Sequence, residues 1–424
     1  MNRAAAPTSR AGLSLEQAPP LSVPLRFFLT APPFAMLAGL ALLWLGPETL
    51  ASRWAPQTIG LTHLLTLGFI TMVAIGAMLQ MLPVLSGVAA PQPRLVAAWV
   101  HLLLLLGTLG LCGGFVIDPL FLRLGAALLG VAFAAFLALM ALTFVRLRGS
   151  ANPTVRGMRL ALVGLAAAAL LGLGRGTAYA WGVEVPVTLI HVHVAWALLG
   201  WIGLLVVAVA FQVVPMFQVT PDYPRAVRRW LVSGLFLSLL GWSVGALMHW
   251  TWLEKFFELV LVAGFCGFAI TTLRLQLRRR RRITDAFLWF WRLGLGSILA
   301  AGALRLAISW GGDAGRLDIL FGVLVIVGAV QSIMLGMLYK IVPFLVWLHS
   351  RNAPGGVHNM SQVLPERRAR HQLRLHGLSL ALLVAAILYP LVSPVAGIVF
   401  AGSSLWLAFN LIQAIRAPTA ARAR

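Results

Sequence analysis

"HVHVAWALLGWIGLLVVAVAFQVVPMF", residues 191–217, opens with two histidines, runs apolar to Gln212 and meets a proline at Pro215. Its length and composition predict a helix that crosses a bilayer. Imidazole is a poor guest in hydrocarbon. His191 and His193 therefore need carbonyls, each other, a wet vestibule, a proton path or a metal. Successive helical residues turn by about 100°, so an i, i+2 pair points about 200° apart. The two rings cannot easily serve one metal from one helix face. They can serve two sites on opposite sides of the helix.

Similar runs recur along all 424 residues, of which 60% are hydrophobic and 10% charged. A soluble chain of this length could not bury so much apolar surface. The pattern predicts an all-α membrane protein with about twelve spans. They fall near 25–45, 59–82, 95–116, 121–145, 157–181, 188–214, 227–248, 253–275, 286–309, 317–342, 373–391 and 393–415. Residues 1–24 and 416–424 read as cytoplasmic tails, and 343–372 as a cytoplasmic loop. The polar N-terminal tail has no cleavable signal pattern.

The net charge of +22 suggests nucleic acid at first sight. Its placement argues otherwise. The arginines collect in alternate loops ("VRLRG", "PRAVRRW", "RLQLRRRRR", "PERRARHQLR") and in both tails. The opposite loops carry Glu48, Asp118, Glu184, Glu254, Asp313 and Asp318. This is the positive-inside pattern. It predicts both termini in the cytoplasm of a bacterial inner-membrane protein, with arginines touching lipid headgroups. The basic runs lack interleaved aromatics and a soluble module, so nucleic acid is not a partner. Cys112 and Cys266 lie in separate spans and form no CxxC pair.

The chain also repeats. Span two ends Gln80-Met81-Leu82-Pro83, span six Gln212-Val213-Val214-Pro215 and span ten Lys340-Ile341-Val342-Pro343. Spans one, five and nine each close on a Trp with Gly shortly after. Three pseudo-symmetric four-helix units follow, near 25–145, 157–275 and 286–415. Each proline falls where helix-stop logic puts the end of a span.

In that topology His63, His191, His193 and His249 share a depth on the outer side with Arg175 and Arg305. Ionisable groups at such depth are candidate functional residues. Imidazole ligates haem iron and copper. His63 with His191 or His193 would make a bis-imidazole haem b site. The remaining one would face a second pore, with His249, a second haem or copper. Arg175 and Arg305 suit haem propionates. Each also has a plain reading: a histidine bonded to a carbonyl, or an arginine reaching to the headgroups. His349, His358, His371 and His376 lie in or beside the 343–372 loop. Met72, Met78, Met81, Met334 and Met337 read as bundle packing rather than copper ligands.

Twelve spans in three units, outer-side histidines and "THLLTLGF…LP" resemble the haem-copper oxidase subunit I superfamily, including its divergent NnrS-type relatives linked to haem, copper and nitric oxide stress. The resemblance covers nearly the whole membrane domain through short motifs. It implies His63 as a span-two haem ligand, His191 or His193 as a span-six copper ligand and His249 as a span-seven copper ligand. The departures are large. Span ten lacks the His-x-His pair, Ala195 and Ala197 stand where a redox tyrosine would, and His249-Trp250 replaces paired histidines. No acidic residue stands mid-membrane. These departures argue against proton-pumping oxygen reduction. Two function classes remain. One is a haem protein handling electrons or a diatomic gas such as nitric oxide, with a redox partner. The other is a cofactor-free carrier using outer His and Arg. A haem or copper assembly or sensing role is a third.

Overall fold

The computed structural model describes residues 14–147, 152–281, 283–311, 315–350 and 359–422. It contains twelve helices long and apolar enough to cross a membrane. Spans one to four are Ser22–Leu45, Pro56–Ser86, Pro93–Val116 and Pro119–Arg146. Spans five to eight are Pro153–Ala180, Val187–Gln218, Arg225–Leu247 and Thr251–Leu277. Spans nine to twelve are Ala286–Ser309, Gly315–Ser350, Glu366–Leu388 and Pro390–Ala417. The shortest has 23 residues, which is about 35 Å of helix.

Local chemistry sets many of the ends. Asp118, Asn152 and Asp285 cap spans four, five and nine by accepting from backbone N–H groups of Leu120, Thr154 and Leu288. Spans two to five each begin with proline, which suits a first turn that has no hydrogen bond to lose. Trp181 and Trp310 follow spans five and nine, and Gly182 and Gly311 then take φ of 68° and 138°. Only glycine adopts such values without strain, so these Trp-Gly pairs are helix stops, as expected.

Spans two, six and ten are the most enclosed, with 78%, 56% and 67% of their central windows buried, against 28–50% for the others. They form an inner set with the remaining spans around them. Span one packs on span twelve and closes the ring. A methyl group on Gly39 would stand 2.7 Å from the Gly397 carbonyl oxygen, so these backbones meet directly.

A geometric repeat marks the inner set. Each inner span contains eight π-helical residues: Leu64–Thr71, Trp196–Gly203 and Leu324–Gln331. The prolines follow twelve residues later in every case (71 to 83, 203 to 215, 331 to 343). This register aligns Gly68 with Gly200 and Gly328. A methyl group on Gly68 would overlap the Phe34 ring of span one, and one on Gly328 would press on Ser297 of span nine. Gly200 meets Gly164 of span five. The widened turn thus lets each inner span lie close on the first helix of its own unit. Trp201 Nε1 also donates to Thr71 Oγ1 at 3.4 Å, joining two π segments.

Two expectations need correction. Pro83, Pro215 and Pro343 do not end their helices, which continue to Ser86, Gln218 and Ser350. The lost hydrogen bond is tolerated because neighbouring spans hold the backbone. For the same reason 343–372 is not one loop. Residues 343–350 belong to span ten and 366–372 to span eleven, with a one-turn helix at Met360–Val363 between them. Asp313 and His358 lie outside the described residues.

Candidate functional site

His63 is the last α-helical residue before the π segment of span two. His193 stands three residues before the π segment of span six. Their rings face each other between the spans, with centroids 6.5 Å apart and planes inclined by 16°. Each ring has one nitrogen fixed. His63 Nδ1 donates to the Ile59 carbonyl at 2.8 Å, and His193 Nδ1 donates to the Ala168 carbonyl at 2.9 Å. A carbonyl can only accept, so Nδ1 carries the proton in both neutral rings and Nε2 keeps its lone pair. A backbone bond to Nδ1 is also how metal-ligating histidines are commonly oriented.

Span five forms the wall beside His193. A methyl group on Gly172 would stand 2.6 Å from His193 Cε1. Glycine there lets the ring lie against the helix. Arg175 is three residues further on, about 60° around the helix from Gly172. It is half-buried and makes no hydrogen bond or ion pair among the described residues. On the other side Phe115 lies 6.1 Å from His63, and Tyr179 lies 5.5 Å from Phe115.

His191 goes elsewhere, as the splay of the pair predicts. Arg53 Nη2 donates to its Nε2 at 2.7 Å, and Arg53 Nη1 pairs with Asp318 at 3.3 Å. Arg53 also lies over Trp54 at 4.3 Å. This cluster draws one residue from each unit: a loop arginine, a span-six histidine and a span-ten aspartate. Arg305 is close enough to act on His191 electrostatically. Its guanidinium is held by Glu258 at 2.5 Å, and Ser309 donates to the other Glu258 oxygen at 3.1 Å. Arg305 therefore already has a carboxylate partner, whereas Arg175 has none among the described residues.

The structure does not bring His249 to this region. It sits exposed in the turn between spans seven and eight with φ of 55°. Among the described residues no three His, Cys, Asp or Glu side chains are grouped for a metal ion. No such group joins His249 to the span-six histidines among the described residues. His349 bonds its Nδ1 to the Leu345 carbonyl, and His371 is exposed against Trp406.

One histidine inside a span escaped the sequence reading, and another was placed beside a loop. His376 is 1% exposed inside span eleven, not beside a loop, and its Nε2 meets Ser332 Oγ at 2.8 Å. His101 of span three meets Thr30 Oγ1 at 2.7 Å. Each hydroxyl also donates to a helical carbonyl, and each histidine has its Nε2 engaged by the hydroxyl. That separates them from His63 and His193, whose Nε2 atoms make no hydrogen bond among the described residues. Phe27 packs beside His101 and Phe290 beside His376, and these phenylalanines meet the aligned Gly76 and Gly336. The repeat, laid out in register, is the signal that would have found the pair. His376 belongs to a buried set confined to unit three. Tyr339 donates to Gln372, accepts from Asn410 at 2.8 Å, and Gln372 donates to Ser403 at 2.8 Å. Ser332 and Tyr339 replace Met72 and Leu79 of unit one, and Leu204 and Phe211 of unit two.

A comparison with models of known protein families and a search of curated proteins found no match to this chain.

Proposed function

We propose that the chain is a haem-binding membrane protein that handles electrons or a diatomic gas, in which His63 and His193 would hold the haem. The observation that carries this is the ring separation of 6.5 Å with near-parallel planes. Two imidazoles bound through Nε2 to one metal, with bonds of about 2.0 Å, hold their ring centres about 6 Å apart. Both Nδ1 atoms are already committed to backbone carbonyls, which leaves the correct nitrogens for iron. Arg175, half-buried and unpaired among the described residues, suits a propionate. Haem would supply one-electron chemistry at this position. Haem held by two protein side chains would favour electron transfer with a redox partner over gas binding at the same iron. The resemblance to the haem-copper oxidase superfamily and to NnrS-type proteins points the same way. The missing span-ten histidines argue against proton-pumping oxygen reduction. In this reading the site lies near the outer face of a bacterial inner membrane, with both termini cytoplasmic.

The test is a visible spectrum with a pyridine haemochrome assay on the purified protein. A low-spin b-type spectrum is expected, lost in both His63→Ala and His193→Ala. Protein that purifies folded but takes up no haem, even when supplied with it, would leave the second reading. That reading is a cofactor-free carrier, favoured by the Arg53–His191–Asp318 cluster that spans all three units.

A further inference from the structure

We propose that the cavity between the inner spans is a Cu(I) site whose ligands are methionine thioethers. The cavity has a volume of about 60 Å³ and lies on the pseudo-threefold axis. Its axial position follows from the repeat register: Ala74, Val206 and Met334 are aligned and all line it, as do Ala77, Val209 and Met337. Five of the chain's twelve methionines face it: Met78, Met81, Met158, Met334 and Met337.

Helix geometry explains the convergence. "MLQM" (78–81) and "MLGM" (334–337) each place two methionines three residues apart, on one face of a helix. Spans two and ten turn these faces to the same cavity, and span five adds Met158. Packing alone does not call for sulfur here. The register aligns Met78 with Ala210 and Leu338, and Met334 with Ala74 and Val206. The other units fill the equivalent places with plain aliphatic groups.

The lining selects the ion. It contains no carboxylate, imidazole, hydroxyl or amide side chain, and the indole N–H of Trp291 is its one polar side-chain group. Hard cations and anions find no ligand in such a wall. Neutral, soft thioethers favour Cu(I) over zinc, iron(II) or magnesium. The buried indole of Trp291 adds an aromatic ring, a further favourable neighbour for a monovalent cation. The ion enters as Cu(I) and keeps its oxidation state, so binding alone is proposed. The proposal does not rest on the haem reading, because none of these residues belongs to the His63–His193 site.

The experiment uses full-length protein in detergent, equilibrated anaerobically with bicinchoninate-buffered Cu(I) and then desalted. Copper is counted by mass spectrometry, and its ligands are read by X-ray absorption. About one Cu(I) per chain with a sulfur-only shell is expected. Met78→Leu combined with Met334→Leu, a volume-conserving change, should weaken retention at least tenfold. Met72→Leu, a buried position outside the cavity lining, should leave retention unchanged. His63→Ala should keep the copper whatever it does to haem. If the double variant fails to fold, Met81→Leu and Met337→Leu singly carry the same test. Wild-type protein that retains no copper, a nitrogen or oxygen shell, or equal retention by the leucine variants would overturn the proposal.

Discussion

Arg53 donates a 2.7 Å hydrogen bond to Nε2 of His191, so a loop of the first unit holds a helix of the second. The same guanidinium reaches Asp318 of the third unit. Arg53→Ala removes both contacts and leaves Asp318, whose side chain is 14% exposed, without its partner. Arg53 itself is 37% exposed, so solvent screens the pair. A loss of about 1 kcal/mol in unfolding free energy is expected. Thermal unfolding in detergent measures it, and a variant as stable as wild type would show the cluster to be structurally idle.

His191 and His193 should fail differently when replaced. His193→Ala removes a ring that faces His63 and should abolish the low-spin spectrum. His191→Ala removes a ring bonded to Arg53 and should leave that spectrum in place. Side-by-side spectra and iron analysis decide the matter. Equal loss of haem in both variants would contradict the separation of the two rings.

Gly172 and Gly174 offer a matched pair on one helix. A methyl group on Gly172 meets His193 Cε1 at 2.6 Å, whereas one on Gly174 meets nothing within 4 Å. Gly172→Ala should therefore push the imidazole and alter the haem spectrum, while Gly174→Ala should not. Identical spectra from the two variants would mean that span five does not position His193.

The π segments predict a third contrast. Gly68→Ala forces a methyl group into the Phe34 ring, and Gly296→Ala meets open space. The first should destabilise the fold by about 1–3 kcal/mol, as overpacking does. The second, in an exposed helical position, should be neutral or slightly stabilising. The difference in unfolding temperature is the readout, and its absence would argue that the π turn relaxes to accept a side chain.

Topology is open to direct measurement. Twelve spans put both termini on one side, and the arginine-rich loops predict that this side is the cytoplasm. A reporter fused after Arg424 should be active only in the cytoplasmic form. Periplasmic activity would invert the protein and move the His63–His193 pair to the opposite face.

Much of this protein is local, and what is local was legible. A bilayer-length apolar run needs no distant partner to be recognised, so all twelve spans could be read from composition. The Trp-Gly stops and the opposed directions of His191 and His193 follow from backbone geometry alone. Helix ends were less legible at Pro83, Pro215 and Pro343, because neighbouring spans supply what proline removes.

Only the tertiary structure decided which residues meet. His193, not His191, faces His63, because the rotation of span six is set by its packing on span five through Gly164 and Gly200. Hydropathy carries no record of that rotation, nor of the π turns. His376 stood beside the loop, three residues into the expected span eleven, until that span proved to begin at Glu366 and carry it into the core. The methionines of spans two, five and ten, 259 residues apart at the extremes (337 − 78), share one cavity only because the helices that carry them converge on it. Apolar length is a property of a segment, whereas rotation and convergence arise from side chains that are distant in the chain and close in space.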